Sequence, residues 1–250
     1  MATKLKSLRQ NSAKPTIFSN KAKPVKALSK KELAKPLIKV KAKKIDFFEA
    51  LAALKANYPD AHCALNFKNP FELLIATILS AQCTDERVNI VTAVLFKDHP
   101  TAKSLASLKL EQIEEYIRSA GFYHNKAKSL KNCSQMLIDK YGGLVPQTLE
   151  QLYELPGVGR KTANVVLGNA FGIASGVVVD THVTRLATRF GWVKIVDAVK
   201  IEQILNEVCP KDDWIMLPHY LIAHGRAICK ARSPMCNKCF LQTSCPKHGV

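Results

Sequence analysis

Leu155-Pro-Gly-Val-Gly-Arg-Lys-Thr-Ala-Asn-Val-Val-Leu167 places a glycine-punctuated turn directly before an apolar helix. Around Gly157 and Gly159 no side chain blocks approach, so backbone N–H groups there can cradle a phosphate at a helix N-terminus. Lys161 stands at the start of that helix, where the dipole disfavours an ammonium and favours the nucleophilic free amine. A Gly-x-Gly turn alone usually does no more than join two helices. The flanks give this one more content. Thr148 and Gln151 have capping-box spacing, and Leu149, Leu152 and Leu155 form an apolar stripe. Val165, Val166 and Phe171 follow the turn before Gly172 ends the second helix. Two helices joined by a phosphate-sized turn are therefore expected over about 148–170.

Outward from this segment, the chain of 250 residues is 47% hydrophobic, enough to bury a sizeable core in one or two domains. Its formal charge of +17 is unevenly spread. Residues 1–44 hold fourteen Lys/Arg against Glu32 alone, which leaves +4 for residues 45–250. The first 44 residues have no sustained apolar period and are broken by Pro15, Pro24 and Pro36, so they read as a disordered basic tail. Such a tail is either a solvated end or a non-specific DNA contact. No apolar run matches a secretory signal or a membrane span, and a soluble protein is expected.

From Ile45 onward the pattern is helical almost throughout. Phe47, Phe48, Leu51 and Leu54 mark a first helix. Asn69 and Pro70 can cap and open a second, whose Phe71, Leu74, Ile75, Ile78 and Leu79 follow helical spacing. Further helices are expected around 85–96, 111–119, 126–140, 182–190, 199–208 and 214–228. Only Gly176-Val-Val-Val179 is strand-like, too short and isolated to build a sheet. The fold class is all-α.

Eight cysteines occur, and the last four, Cys229, Cys236, Cys239 and Cys245, are spaced C-x6-C-x2-C-x5-C. Four thiolates within so short a segment can close around one ion or one cubane, and the spacing alone leaves zinc and iron–sulfur both open. Arg226, Lys230, Arg232, Lys238 and Lys247 surround them, so a pinned loop would present cations to a phosphate backbone. Cys63, Cys83, Cys133 and Cys209 have no ligand spacing and read as buried small residues. His182 and His224 read as core histidines. Asp180 precedes Thr-His-Val and an apolar helix, the place of an N-cap.

Taken in order, Phe71-Glu-Leu-Leu-Ile75, Leu79-Ser-Ala-Gln82 with Thr84-Asp85, the Leu155–Leu167 turn, Val179-Asp-Thr-His182, His224-Gly-Arg226 and the four-cysteine segment are distinctive. The chain resembles the endonuclease III family of DNA glycosylases and abasic-site lyases across about residues 45–247. The resemblance implies a helix-hairpin-helix motif at the turn, with Gly157, Val158, Gly159 and Arg160 binding DNA. It implies two helical domains, 64–174 and 45–63 plus 175–250, with the active-site cleft between them. A 4Fe–4S cluster would be held by Cys229, Cys236, Cys239 and Cys245 in a structural role. Lys161 would be the nucleophile and Asp180 its carboxylate partner, while Gln82 would fill the space left by a flipped nucleotide. Phe122 stands where the family often has an aliphatic wedge, so it either stacks on the orphan base or packs in the core.

The activity so implied is removal of oxidised or ring-damaged pyrimidines from double-stranded DNA, followed by cleavage of the abasic site, by a monomer in a bacterial cytoplasm, or in a nucleus or mitochondrion if the host is eukaryotic. A monofunctional adenine-mismatch glycosylase is a second reading, opposed by Lys161, which those enzymes typically lack. A non-catalytic helix-hairpin-helix DNA-binding protein is a third, and a ferredoxin-type carrier would not need the helical scaffold.

Overall fold

Residues 44–250 are described by the computed structural model, so the basic tail read at 1–44 lies outside the described residues except for Lys44. Helix starts follow the caps the sequence offers. Asp46 opens α1 (Phe47–Asn57) by accepting from the N–H groups of Phe48 and Glu49. Asn69 accepts from Glu72 N–H, and Pro70 takes the first turn of α2 (Pro70–Leu79). Thr84 caps α3 (Asp85–Asp98) through Arg87 N–H. Next come α4 (Ala102–Ala106) and α5 (Leu110–Ile117), then a 3-10 turn at Arg118–Ala120 and the long α6 (Tyr123–Tyr141). The hairpin pair is α7 (Leu149–Glu154) and α8 (Arg160–Phe171). Three more helices follow: α9 (Thr181–Arg189), α10 (Ala198–Val208) and α11 (Met216–Ala227).

The described residues contain no strand, and Gly176–Val179 runs as irregular chain with Val177 and Val179 buried. Only α4 escapes the periodicity. Five residues are too few for an apolar stripe, and the helix is held by a box in which Ser104 N–H donates to Thr101 Oγ1 (3.2 Å) and Thr101 N–H to Ser104 Oγ (3.1 Å).

Two hydrophobic cores form. The first is centred on α2, in which every residue from Phe71 to Leu79 is buried, and α3, α5, α6 and α8 pack around it. A helix apolar all round has to sit in the middle of a bundle. Each fully buried Leu or Ile there contributes about 1.5–3 kcal/mol. The second core joins α1 to α9, α10 and α11 through Leu54, Leu186, Phe190, Leu205 and Leu221. The described chain thus begins in the second core, builds the first, and returns. No helix among the described residues is long and apolar enough to cross a membrane.

Candidate active site

The hairpin turn is shaped by its two glycines for different reasons. Gly157 has φ +81°, and a Cβ there would come within 2.8 Å of Ser129 Cβ, so conformation and packing both demand glycine. Gly159, the N-cap of α8, has ordinary φ and open space around a Cβ, with no side chain capping the helix. The first N–H groups of α8 are therefore left uncapped by any side chain at Gly159, as an anion site requires. On the approach side, Thr148 caps α7 through Gln151 N–H, while Gln151 Oε1 reaches back to the Thr148 hydroxyl rather than to its N–H.

Lys161 stands exposed in the first turn of α8, whose Ala163 and Val166 belong to the first core. Asp180 caps α9 by accepting from Val183 N–H (2.8 Å), and α9 belongs to the second core through Val183 and Leu186. Both line one cleft of ≈ 900 Å³, together with Ser80, Cys83, His182 and Arg226. A lysine from one core and a carboxylate from the other thus meet at a shared opening.

Polar contacts hold the two sides of this opening. Glu202 of α10, almost fully buried, accepts from Arg160 Nε (2.8 Å) and Nη2 (3.0 Å) and from Asn164 Nδ2 (3.0 Å). His219 Nε2–H donates to Asn169 Oδ1 (2.8 Å), and Arg226 pairs with Asp85. Within the second side, Arg185 Nη2 donates to His182 Nδ1 (3.1 Å), which leaves the proton of the neutral ring on Nε2. Burial lowers the affinity of His182 for a second proton, Asp180 opposes that shift, and Arg185 adds to it.

Cys229, Cys236, Cys239 and Cys245 line a single pocket with Arg189, Phe190 and His224. Arg189 donates to the carbonyls of Lys230 (2.7 Å) and Ala231 (3.0 Å) and to Cys229 Sγ (3.4 Å). His224 is fully buried, with Nδ1 2.9 Å from the Tyr58 hydroxyl and Nε2 3.5 Å from Cys239 Sγ. Burial pulls its pKa down to about 4, so the ring is neutral. Burial also pushes the Cys239 and Cys245 thiols up. Among the described residues no three His, Cys, Asp or Glu are gathered as for a single ion. All four cysteines nevertheless line that one pocket.

Residues 75–211 match the HhH-GPD superfamily of base excision DNA repair proteins. The chain is 50% identical over 210 residues to the endonuclease III of Synechocystis sp., an alignment covering 84% of this chain and 96% of that one. With the Bacillus subtilis endonuclease III it shares 46% over 189 residues, 75% of this chain and 86% of the relative. The chain belongs to the endonuclease III family. A trapped endonuclease III–DNA covalent intermediate, containing an estranged adenine, superposes with a TM-score of 0.76 at 46% identity, covering 79% of this chain and 93% of that one.

Within this family frame, the residues singled out from sequence have distinct surroundings. Gln82 (φ 53°) and Phe122 (φ 48°) both sit in left-handed backbone and are exposed, Phe122 at 65%, so Phe122 does not pack in the core. Val158 is buried and its N–H closes the turn on Leu155 O (3.0 Å). Arg160 is held by Glu202 rather than projecting free. Cys133 and Cys209 are buried as expected, whereas Cys63 and Cys83 are half-buried and line the cleft. Sequence reasoning missed Glu202, Arg185, Arg189 and Tyr58. Each acts on a partner 40 or more residues away or through a contact that no local spacing announces, except the Arg185–His182 pair at helical separation.

Proposed function

We propose that the cleft between the two cores is the active site of a bifunctional DNA glycosylase and abasic-site lyase acting on oxidised or ring-damaged pyrimidines in double-stranded DNA. The observation that carries this reading is that Lys161 and Asp180, contributed by different cores, line one cleft beside an uncapped helix N-terminus. In this reading the domains are 64–174 and 45–63 plus 175–250.

The chemistry follows from those groups. The Lys161 amine attacks C1′ of a nucleotide turned out of the stack, and the C1′–N bond to the base breaks as the new C–N bond forms. The base leaves with the bonding pair and takes up a proton. Asp180, rigidly held as a helix cap, offsets positive charge on the sugar and serves proton transfer. Opening of the C1′–O4′ bond gives an imine and a 4′-hydroxyl. The imine acidifies C2′–H, so loss of that proton expels the 3′ phosphate and cuts the strand. Water then releases the lysine. The free N–H groups of α8 and the Gly157–Gly159 turn bind a backbone phosphate, while Gln82 and Phe122 enter the duplex.

Cys229, Cys236, Cys239 and Cys245 fit a 4Fe–4S cluster: the donor set is all thiol, faces one space, and has an Arg189 N–H aimed at Cys229 Sγ. Such a cluster would supply cross-linking of the Cys229–Cys245 segment and no step of the reaction. The enzyme works as a monomer in a bacterial cytoplasm.

A duplex carrying one oxidised pyrimidine tests the reading. Wild type is expected to release the base and cut 3′ to the site, and Lys161→Gln to lose both while still binding the duplex. Base release retained by Lys161→Gln would assign the nucleophile elsewhere.

A further inference from the structure

One buried charge lies outside the reaction just described. Lys126, in the first turn of α6, is only 5% exposed, yet among the described residues no carboxylate pairs with it. Its Nζ donates to the Ala120 carbonyl at 2.7 Å, and its backbone N–H donates to the Phe122 carbonyl at 3.1 Å. The backbone bond is the ordinary first bond of the helix, whereas the ammonium reaches back across Gly121–Phe122 to the residue before them.

That dipeptide needs gripping. Gly121 has φ +68° and Phe122 φ +48°, two consecutive left-handed residues, the second a bulky aromatic. Left-handed backbone at a non-glycine costs free energy and persists only where the surroundings impose it. The exposed ring of Phe122 does not supply the compensation. Burial lowers the Lys126 pKa and Cys83 opposes that shift. An unbranched apolar side chain would fill the same space without desolvating a charge, so the ammonium is retained for what it holds.

We propose that Lys126 is a positioning residue for the reaction, its buried ammonium bracing the turn that holds Phe122 out towards duplex DNA. This rests on the reading that Phe122 enters the duplex. Lys126 touches neither substrate nor the reacting atoms. It acts through Phe122, and its removal lets the loop relax to an unstrained backbone that turns the ring away.

The test is a double-variant cycle on two substrates: a duplex with one oxidised pyrimidine, and a single-stranded oligonucleotide with one abasic site, which has no stack to open. Lys126→Met is expected to lower kcat/KM on the duplex on the order of tenfold, as does Phe122→Ala. Adding Lys126→Met to Phe122→Ala is expected to cost nothing further. Cleavage of the single strand by Lys126→Met stays within about twofold of wild type, because Lys161 and Asp180 are undisturbed. Equal losses on both substrates, multiplying losses in the double variant, or unchanged duplex activity would each overturn the proposal. If Phe122→Ala alone leaves duplex activity intact, the wedge reading fails and takes the proposal with it. That outcome is distinguishable, because there the Phe122 variant, not the Lys126 variant, is silent. Should Lys126→Met not fold, Lys126→Arg carries the test. It keeps a donor for Ala120 but displaces it, and a severalfold duplex loss with an intact single-strand rate is expected. Equal loss on both substrates again contradicts.

Discussion

Among the described residues the first core gathers twenty-eight buried hydrophobic residues and the second only seventeen. What completes each core differs accordingly. The first closes on itself around α2, and the residues assigned to DNA emerge at its helix ends, at Gln82, Phe122 and the Gly157–Lys161 turn. The second is finished by polar joints: Arg189 on the carbonyls of 230 and 231, His224 between Tyr58 and Cys239, and the four-thiol pocket. A large apolar core can spare its edges for function, whereas a small one spends polar groups on holding together. The joints between the two, Glu202 with Arg160, His219 with Asn169 and Arg226 with Asp85, tie together the sides of the cleft that Lys161 and Asp180 line.

The comparison breaks most directly at the cysteines. Cys239→Ser is expected to destabilise the second core by several kcal/mol, because ligand binding and folding are coupled. Hydrogen exchange at Leu186, Leu205 and Leu221 should accelerate strongly while Leu74, Leu79 and Leu130 keep their protection. Uniform loss across both cores would show that they do not differ as described.

The joint at Glu202 comes next. Glu202→Ala frees Arg160 and leaves Asn164 buried without its acceptor, at a cost of about 2 kcal/mol once the partial exposure of Arg160 is allowed for. Arg160→Ala should cost at least as much, since it leaves a buried carboxylate with one amide donor. Urea unfolding of both variants gives the numbers. Costs near zero would mean the two sides are held by apolar contact alone.

Within the hairpin, the two glycines separate stability from binding. Gly157→Ala is expected to lose about 1–3 kcal/mol, from its positive φ and the Ser129 contact. Gly159→Ala should stay within about 1 kcal/mol in stability and still bind duplex more weakly, because its methyl stands where a phosphate approaches. Melting and duplex titration of the pair decide whether the space at Gly159 serves a ligand.

The smallest effect is a pH dependence. Burial lowers the pKa of His219, with His62 adding and Asp180 opposing, so the unfolded chain takes up a proton at higher pH than the folded one. The contribution of the neutral ring is complete above the ordinary histidine range. It falls as pH drops below that range, by no more than about 1.4 kcal/mol per pH unit, until the folded-state value is passed. His219→Gln keeps an amide donor for Asn169 and should flatten the curve. An unchanged slope would place the dependence on other groups, the fully buried His224 first among them.

The same contrast explains what the sequence disclosed. The central helix, the hairpin, the caps at Asn69, Thr148 and Asp180 and the glycine stop at 172 all rest on interactions within four residues, and all are legible as spacing. The left-handed turns at Gln82 and Phe122 are not, because neither residue type prefers that conformation and the Lys126 bond to the Ala120 carbonyl, which spans the second turn, is a tertiary contact. Arg160 looks like a free cation until Glu202 arrives from 42 residues away, and His224 looks like an ordinary core ring until Tyr58 arrives from 166 away. Local order is written in local spacing. The joints are not.

Lys161, which lines the cleft together with Asp180, is proposed as the amine that bonds to the sugar. The most direct measurement is to incubate the wild-type chain with abasic-site duplex and sodium borohydride, digest the reduced complex, and locate the adduct by mass spectrometry. The account predicts the sugar remnant on the peptide containing Lys161 and on no other amine. An adduct on another lysine, or cleavage of the duplex with no covalent adduct at all, would contradict it.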